Sequence, residues 1–125
     1  VKQKPAASAV LAAIVDIVLV VVFVLIGRAS HNEGPRGTLA TLMPFLAGLA
    51  IGWIGARAWR APFVLRWTGL TIWAATVIVG MLLRAVAGQG VQLGFVVVTT
   101  VVLATFLLGW RAIAQFVLRR RSRRA

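Results

Sequence analysis

Four blocks of apolar residues, 6–26, 38–56, 63–83 and 91–110, fill most of this chain. A helix needs about 20 such residues to cross the hydrocarbon core of a bilayer, and a helix is one of the few backbone forms that satisfies its own polar groups there. The blocks therefore predict an all-α membrane protein with four spans. Composition agrees, since 61% of the 125 residues are hydrophobic and the mean hydropathy is +0.96. Soluble domains run at roughly 45–50% apolar, and one of this size has too little interior to hide the excess. Lys2 and Lys4 precede the first block as they would in a signal peptide. Its apolar length exceeds the about 7–15 residues of such a leader, however, and three more blocks follow, so it reads as a retained span. Arg66, near the start of the third block, can snorkel to the interface.

The joints at 27–37, 57–62 and 84–90 are short and rich in Gly, Pro and charge. Short joints make consecutive helices antiparallel neighbours. The expected architecture is a single domain over 1–125, a four-helix transmembrane bundle running up-down-up-down with a basic tail at 111–125. Lys2, Lys4, Arg57, Arg60, Arg66 and the tail arginines fall on one side of the bilayer, while Arg28, Arg36 and Arg84 fall on the other. Cations near span ends resist translocation, which predicts that both termini are cytoplasmic. Trp53, Trp59, Trp67, Trp73 and Trp110 lie in the half nearer that side, and most of them read as interfacial anchors.

A carboxylate interrupts the first block. By counting along equal spans, Asp16 falls near the bilayer centre, level with Gly48, Thr76 and the Thr99-Thr100 pair. Ala9, Ala12 and Ala13 share its neighbourhood on the helix, and small residues beside a polar one point it at other helices. Arg84 ends a stripe of Gly69, Trp73, Thr76 and Gly80 on the third helix. Helical side chains lean towards the helix N-terminus, so Arg84 leans into the membrane and is the expected partner of Asp16. Thr76 and Thr100 are the nearer, neutral alternatives. Gly48, Gly52 and Ala56 recur every four residues, a ridge that lets helix backbones approach closely. The sequence Gly-Trp at 52–53 returns at 109–110, each preceded at similar spacing by an arginine, Arg28 and Arg84. Three residues are too few to establish a repeat.

With no cysteine, one histidine and two acids, most catalytic sites cannot be built. His31 and Glu33 supply at most two ligands, whereas a zinc site takes three or four, so neither a metal nor a cofactor is expected. Ser30, His31 and Glu33 are neighbours on one loop and cannot orient one another as a hydrolase triad does. Arg28, Arg36 and Arg84 form an outer basic rim. Arg119, Arg120, Arg121, Arg123 and Arg124 follow the last span, where each cation near an anionic leaflet contributes about 1 kcal/mol. Lipid head groups are their expected partners. Nucleic acid is not, because no base-reading module accompanies the run.

Asp16, Phe23, Gly27-Arg28, His31, Pro44-Phe45, Gly48, Gly52-Trp53, Pro62, Arg84 and Gly109-Trp110-Arg111, in that order, resemble the bacterial and archaeal membrane proteins of the domain of unknown function 3054 family. The resemblance covers nearly the whole chain. It implies four membrane helices in the plasma membrane of a prokaryote and brings no activity with it. The functional expectation is a non-enzymatic structural or accessory subunit with a buried polar clamp centred on Asp16, acting as a homodimer or within a larger membrane complex. The alternative is a small proton-coupled transporter or channel component, with Asp16 working near the midplane where transporter sites tend to lie.

Overall fold

The computed structural model describes residues 5–29 and 35–124, and every regular element among them is helical. Helix α1 spans Pro5–Ala29 and α2 spans Pro35–Ala56. A 3-10 turn, Ala58–Arg60, and a π-helical turn, Leu65–Gly69, lead into α3, Leu70–Val86. Helix α4, Leu93–Leu103, passes through a second π-helical turn, Ala104–Leu108, into α5, Gly109–Arg124. Four stretches are long and apolar enough to cross a membrane: Ala7–Gly27, Gly37–Ala56, Leu65–Val86 and Leu93–Arg121. The first three agree with the blocks read from hydropathy to within a few residues. The fourth does not end at 110, because nothing in 104–124 breaks the helix.

Local chemistry sets the ends. Pro35 opens α2, at a position where a missing N–H costs nothing. Beyond Ala56, Arg57 takes a left-handed conformation (φ 52°), and Pro62 bars a return to the same helix. Gly88 and Gly90, both at positive φ, turn the chain between α3 and α4.

Helices α2 and α3 make the closest contact. A Cβ on Gly48 would lie 3.0 Å from Thr76 Cα, one on Gly52 would lie 3.0 Å from Ile72 Cα, and one on Gly80 would lie 2.5 Å from the Phe45 ring. The pairs 45–80, 48–76 and 52–72 run in opposite directions, so the two helices are antiparallel. Gly48 and Gly52 thus press on α3, and Ala56 below them is buried. Phe23 of α1 meets the Phe45 ring edge-on at 5.7 Å. Trp73 of α3 donates its indole N–H to the Thr100 carbonyl of α4 at 3.0 Å. Outward faces carry Ile14, Ile54, Leu82, Val98 and Phe116, all exposed, an apolar surface on helices long enough to cross a membrane.

The 57–64 joint is tucked into the end of the bundle. Ala58 is fully buried and Pro62 is buried. Trp67 donates to the Ala56 carbonyl at 2.9 Å, and Thr68 donates to the Ala61 carbonyl at 2.7 Å. The first bond satisfies a carbonyl left over where α2 stops, and the second ties the joint to the π-helical turn that follows it.

Candidate functional site: a saturated carboxylate

Asp16 is fully buried, and four donors meet its carboxylate. Oδ1 accepts from Trp110 Nε1 at 2.8 Å and Arg111 Nη1 at 2.8 Å. Oδ2 accepts from Trp53 Nε1 at 2.8 Å and Arg111 Nη2 at 2.7 Å. A carboxylate offers about four acceptor positions, and here all are occupied. Arg111, fully buried too, supplies a bidentate fork, the strongest common form of such a pair. Its Nε donates to the Pro62 carbonyl at 2.9 Å, and Nη1 also donates to the Leu107 carbonyl at 3.1 Å. The guanidinium lies 4.6 Å from the Trp110 ring centroid, and Phe63 meets that ring edge-on at 5.8 Å.

Each element brings one part. Ala12, one turn before Asp16, is fully buried and lets α1 approach. Helix α2 delivers Trp53 one turn before its end. The tucked joint delivers the Pro62 carbonyl. Gly69 makes room for the arginine, since a Cβ there would lie 3.2 Å from Arg111 Cδ and 3.1 Å from Leu108 Cδ2. The π-helical turn just before α5 sets the register from which Trp110 and Arg111, adjacent in sequence, reach the same carboxylate. Two buried charges are costly unless paired and fully hydrogen-bonded, and this network meets that condition. It leaves Asp16 no lone pair with which to take a substrate proton or bind a metal.

Arg84 is not the partner of Asp16. It lies at the other end of α3, where Nη1 donates to Gln89 Oε1 at 3.1 Å and Nη2 donates to the Gly90 carbonyl at 3.2 Å. Its guanidinium sits 4.4 Å from the Phe95 ring centroid, and Gln89 ties this corner to the Ala40 carbonyl at 2.9 Å. Thr76 and Thr100 do not reach Asp16 either. Their hydroxyls donate to carbonyls of their own helices, Ile72 and Val96, each at 2.7 Å. Thr99 is fully buried, and its hydroxyl oxygen has no hydrogen-bond partner among the described residues.

The reason is a difference in helix level. From Pro5 to Asp16 is 11 residues, or about 17 Å of α1, whereas from Trp53 to Ala56 is only about 5 Å of α2. Helices α1 and α5 therefore project past the joint, and the middle of α1 lies opposite the end of α2. Trp53 and Trp110, expected at the interface, are donors to the carboxylate instead. Trp59 is exposed, about half its surface being accessible. The side chains of Arg28, Arg36, Arg123 and Arg124 lie outside the described residues, as do Lys2, Lys4, Ser30, His31 and Glu33. Arg119, Arg120 and Arg121 are exposed on α5. No group of three or more His, Cys, Asp or Glu gathers among the described residues.

A family model described as a protein of unknown function (DUF3054) matches residues 13–114. That stretch contains Asp16, Trp53, Pro62, Trp110 and Arg111. No curated protein and no solved structure matches the chain.

Proposed function

We propose, for a chain that belongs to the DUF3054 family of proteins of unknown function, a non-enzymatic role as a structural or accessory subunit of a membrane assembly. The Asp16 clamp locks its helices into one rigid unit. The saturation of the carboxylate carries this reading: all four acceptor positions are filled by donors on α2 and α5, and neither Asp16 nor Arg111 has any accessible surface. A proton carrier needs an acceptor that can be reached and released, which weighs against the transport alternative.

The protein sits in the plasma membrane of a prokaryote with both termini in the cytoplasm. Arg57, Arg60 and Arg66 lie at the same end of the bundle as Arg119, Arg120 and Arg121, which supports that orientation under the positive-inside rule. Proteoliposomes test the functional reading. Wild type and Asp16→Asn should both be silent for proton and ion flux. A pH-driven flux in wild type, abolished in a folded Asp16→Asn variant, would establish the transporter instead.

A further inference from the structure

A groove of about 320 Å³ runs between the tucked segment and α5, floored by Ala61, Pro62, Phe63, Val64 and Leu118, with Gln115 and Arg119 as its polar members. Arg111, Gln115 and Arg119 follow one another at four-residue spacing, so one stripe of α5 leads from the buried pair out to the surface. Pro62 belongs to both places, since its carbonyl accepts from Arg111 and the residue lines the groove.

We infer that this groove seats an anionic phospholipid, with a segment of acyl chain along the apolar floor and the phosphate on Arg119 and the Gln115 amide. The inference rests on the membrane placement proposed above, though not on which side the groove faces. Charge is the first argument. The chain has 14 Lys and Arg against two acids. Asp16, the only acid among the described residues, is taken up by Arg111. Arg57, Arg60, Arg66, Arg119, Arg120 and Arg121 thus share an end at which no described residue brings a free carboxylate, which favours anionic partners from outside. The second argument is the floor. A peptide laid there would bring backbone N–H and C=O groups against five apolar residues, where an unbonded polar group is costly. An acyl chain brings none. The volume, at the lower limit of the about 300–1,000 Å³ of ordinary ligand pockets, suits part of a chain rather than a whole lipid.

Native mass spectrometry of the full chain in mild detergent, titrated separately with phosphatidylglycerol and phosphatidylcholine, tests the site. Wild type should retain phosphatidylglycerol more strongly. Arg119→Gln should weaken that retention about fivefold, the effect of one cation, and erase the preference. Ala61→Phe, which fills the floor, should weaken both lipids, while Arg121→Gln should change neither. Tryptophan emission confirms that each variant is folded. Equal retention by wild type, Arg119→Gln and Ala61→Phe would overturn the site. So would an equal loss in Arg121→Gln, which would mean diffuse attraction to a basic helix, or displacement by inorganic phosphate as effective as by lipid. Failure of the membrane placement has a separate signature: a chain that stays folded and monodisperse without detergent.

Discussion

Replacing Asp16 by asparagine keeps the shape of the side chain and removes two of its four acceptor positions. The remaining oxygen can still serve two donors. The new NH2 group faces the other two, an indole N–H and a guanidinium N–H, and forms no bond with either. Each buried donor left without an acceptor costs about 1–3 kcal/mol, and Arg111 also loses the only acid among the described residues. Both routes converge on a loss of about 3–5 kcal/mol, the range for breaking a buried pair from one side. Arg111→Gln should cost a similar amount, since it strands the carboxylate with two indoles. In the double variant no uncompensated charge remains, so the combined loss should fall short of the sum by about 2–3 kcal/mol. Reversible unfolding in mixed micelles of SDS and mild detergent, followed by tryptophan emission, measures all four corners of the cycle. Strictly additive losses would refute the reasoning. So would a strong coupling of Asp16→Asn to Arg84→Gln, which should be additive because Arg84 bonds at the other end of α3.

The two indoles make a gentler test: Trp53→Phe and Trp110→Phe each withdraw one donor and should each destabilise the bundle by about 1–2 kcal/mol in the same assay, with Trp110→Phe costing more because its ring also carries Arg111 and Phe63. Gly48→Ala and Gly52→Leu force a side chain against α3 backbone at 3.0 Å and should each cost about 1–3 kcal/mol, while Gly55→Ala, with nothing within 4 Å, should leave the melting temperature unchanged. For orientation, a cysteine placed at Ala125 should resist a membrane-impermeant thiol reagent in intact cells and react after lysis.

Length and hydropathy made the helices legible, because a helix in lipid needs only an unbroken apolar run. The four-residue recurrence of Gly48 and Gly52 likewise marked the face that meets α3, since close backbone approach demands small residues and little else. The partner of Asp16 was not legible from depth. Counting equal spans placed Arg111 in the tail, for it follows the last apolar block and precedes five more arginines. Two facts concealed in sequence moved it inside: the fourth helix continues through the π-helical turn, and α1 lies about one and a half turns lower against α2 than equal spans imply, the distance from Gly48 to Trp53. The sequence carries a better signal than depth. Trp53, Pro62, Trp110 and Arg111 are among the residues that carry the family resemblance, and the two Gly-Trp pairs that looked like a weak echo supply the two indoles on one carboxylate.

The position of the clamp follows from what else can hold such a bundle together. In the membrane placement proposed above, apolar side chains give helices little reason to associate, because lipid tails are as apolar as leucine. Close packing through small residues must do much of the work, and among the glycines it is concentrated on one pair: Gly48, Gly52 and Gly80 all meet across α2 and α3, whereas a Cβ added at Gly27 of α1, Gly94 of α4 or Gly109 of α5 would meet nothing within 4 Å. The first and last helices therefore lack a glycine ridge of their own. Asp16 and Arg111, 95 residues apart in the chain, join those two helices directly, and Trp53 and the Pro62 carbonyl tie the pair to α2 and its joint. The polar network thus supplies cohesion where no glycine ridge does, and this accounts for a charge kept inside an apolar helix: removing it should release α1 and α5 while the α2–α3 hairpin stays packed.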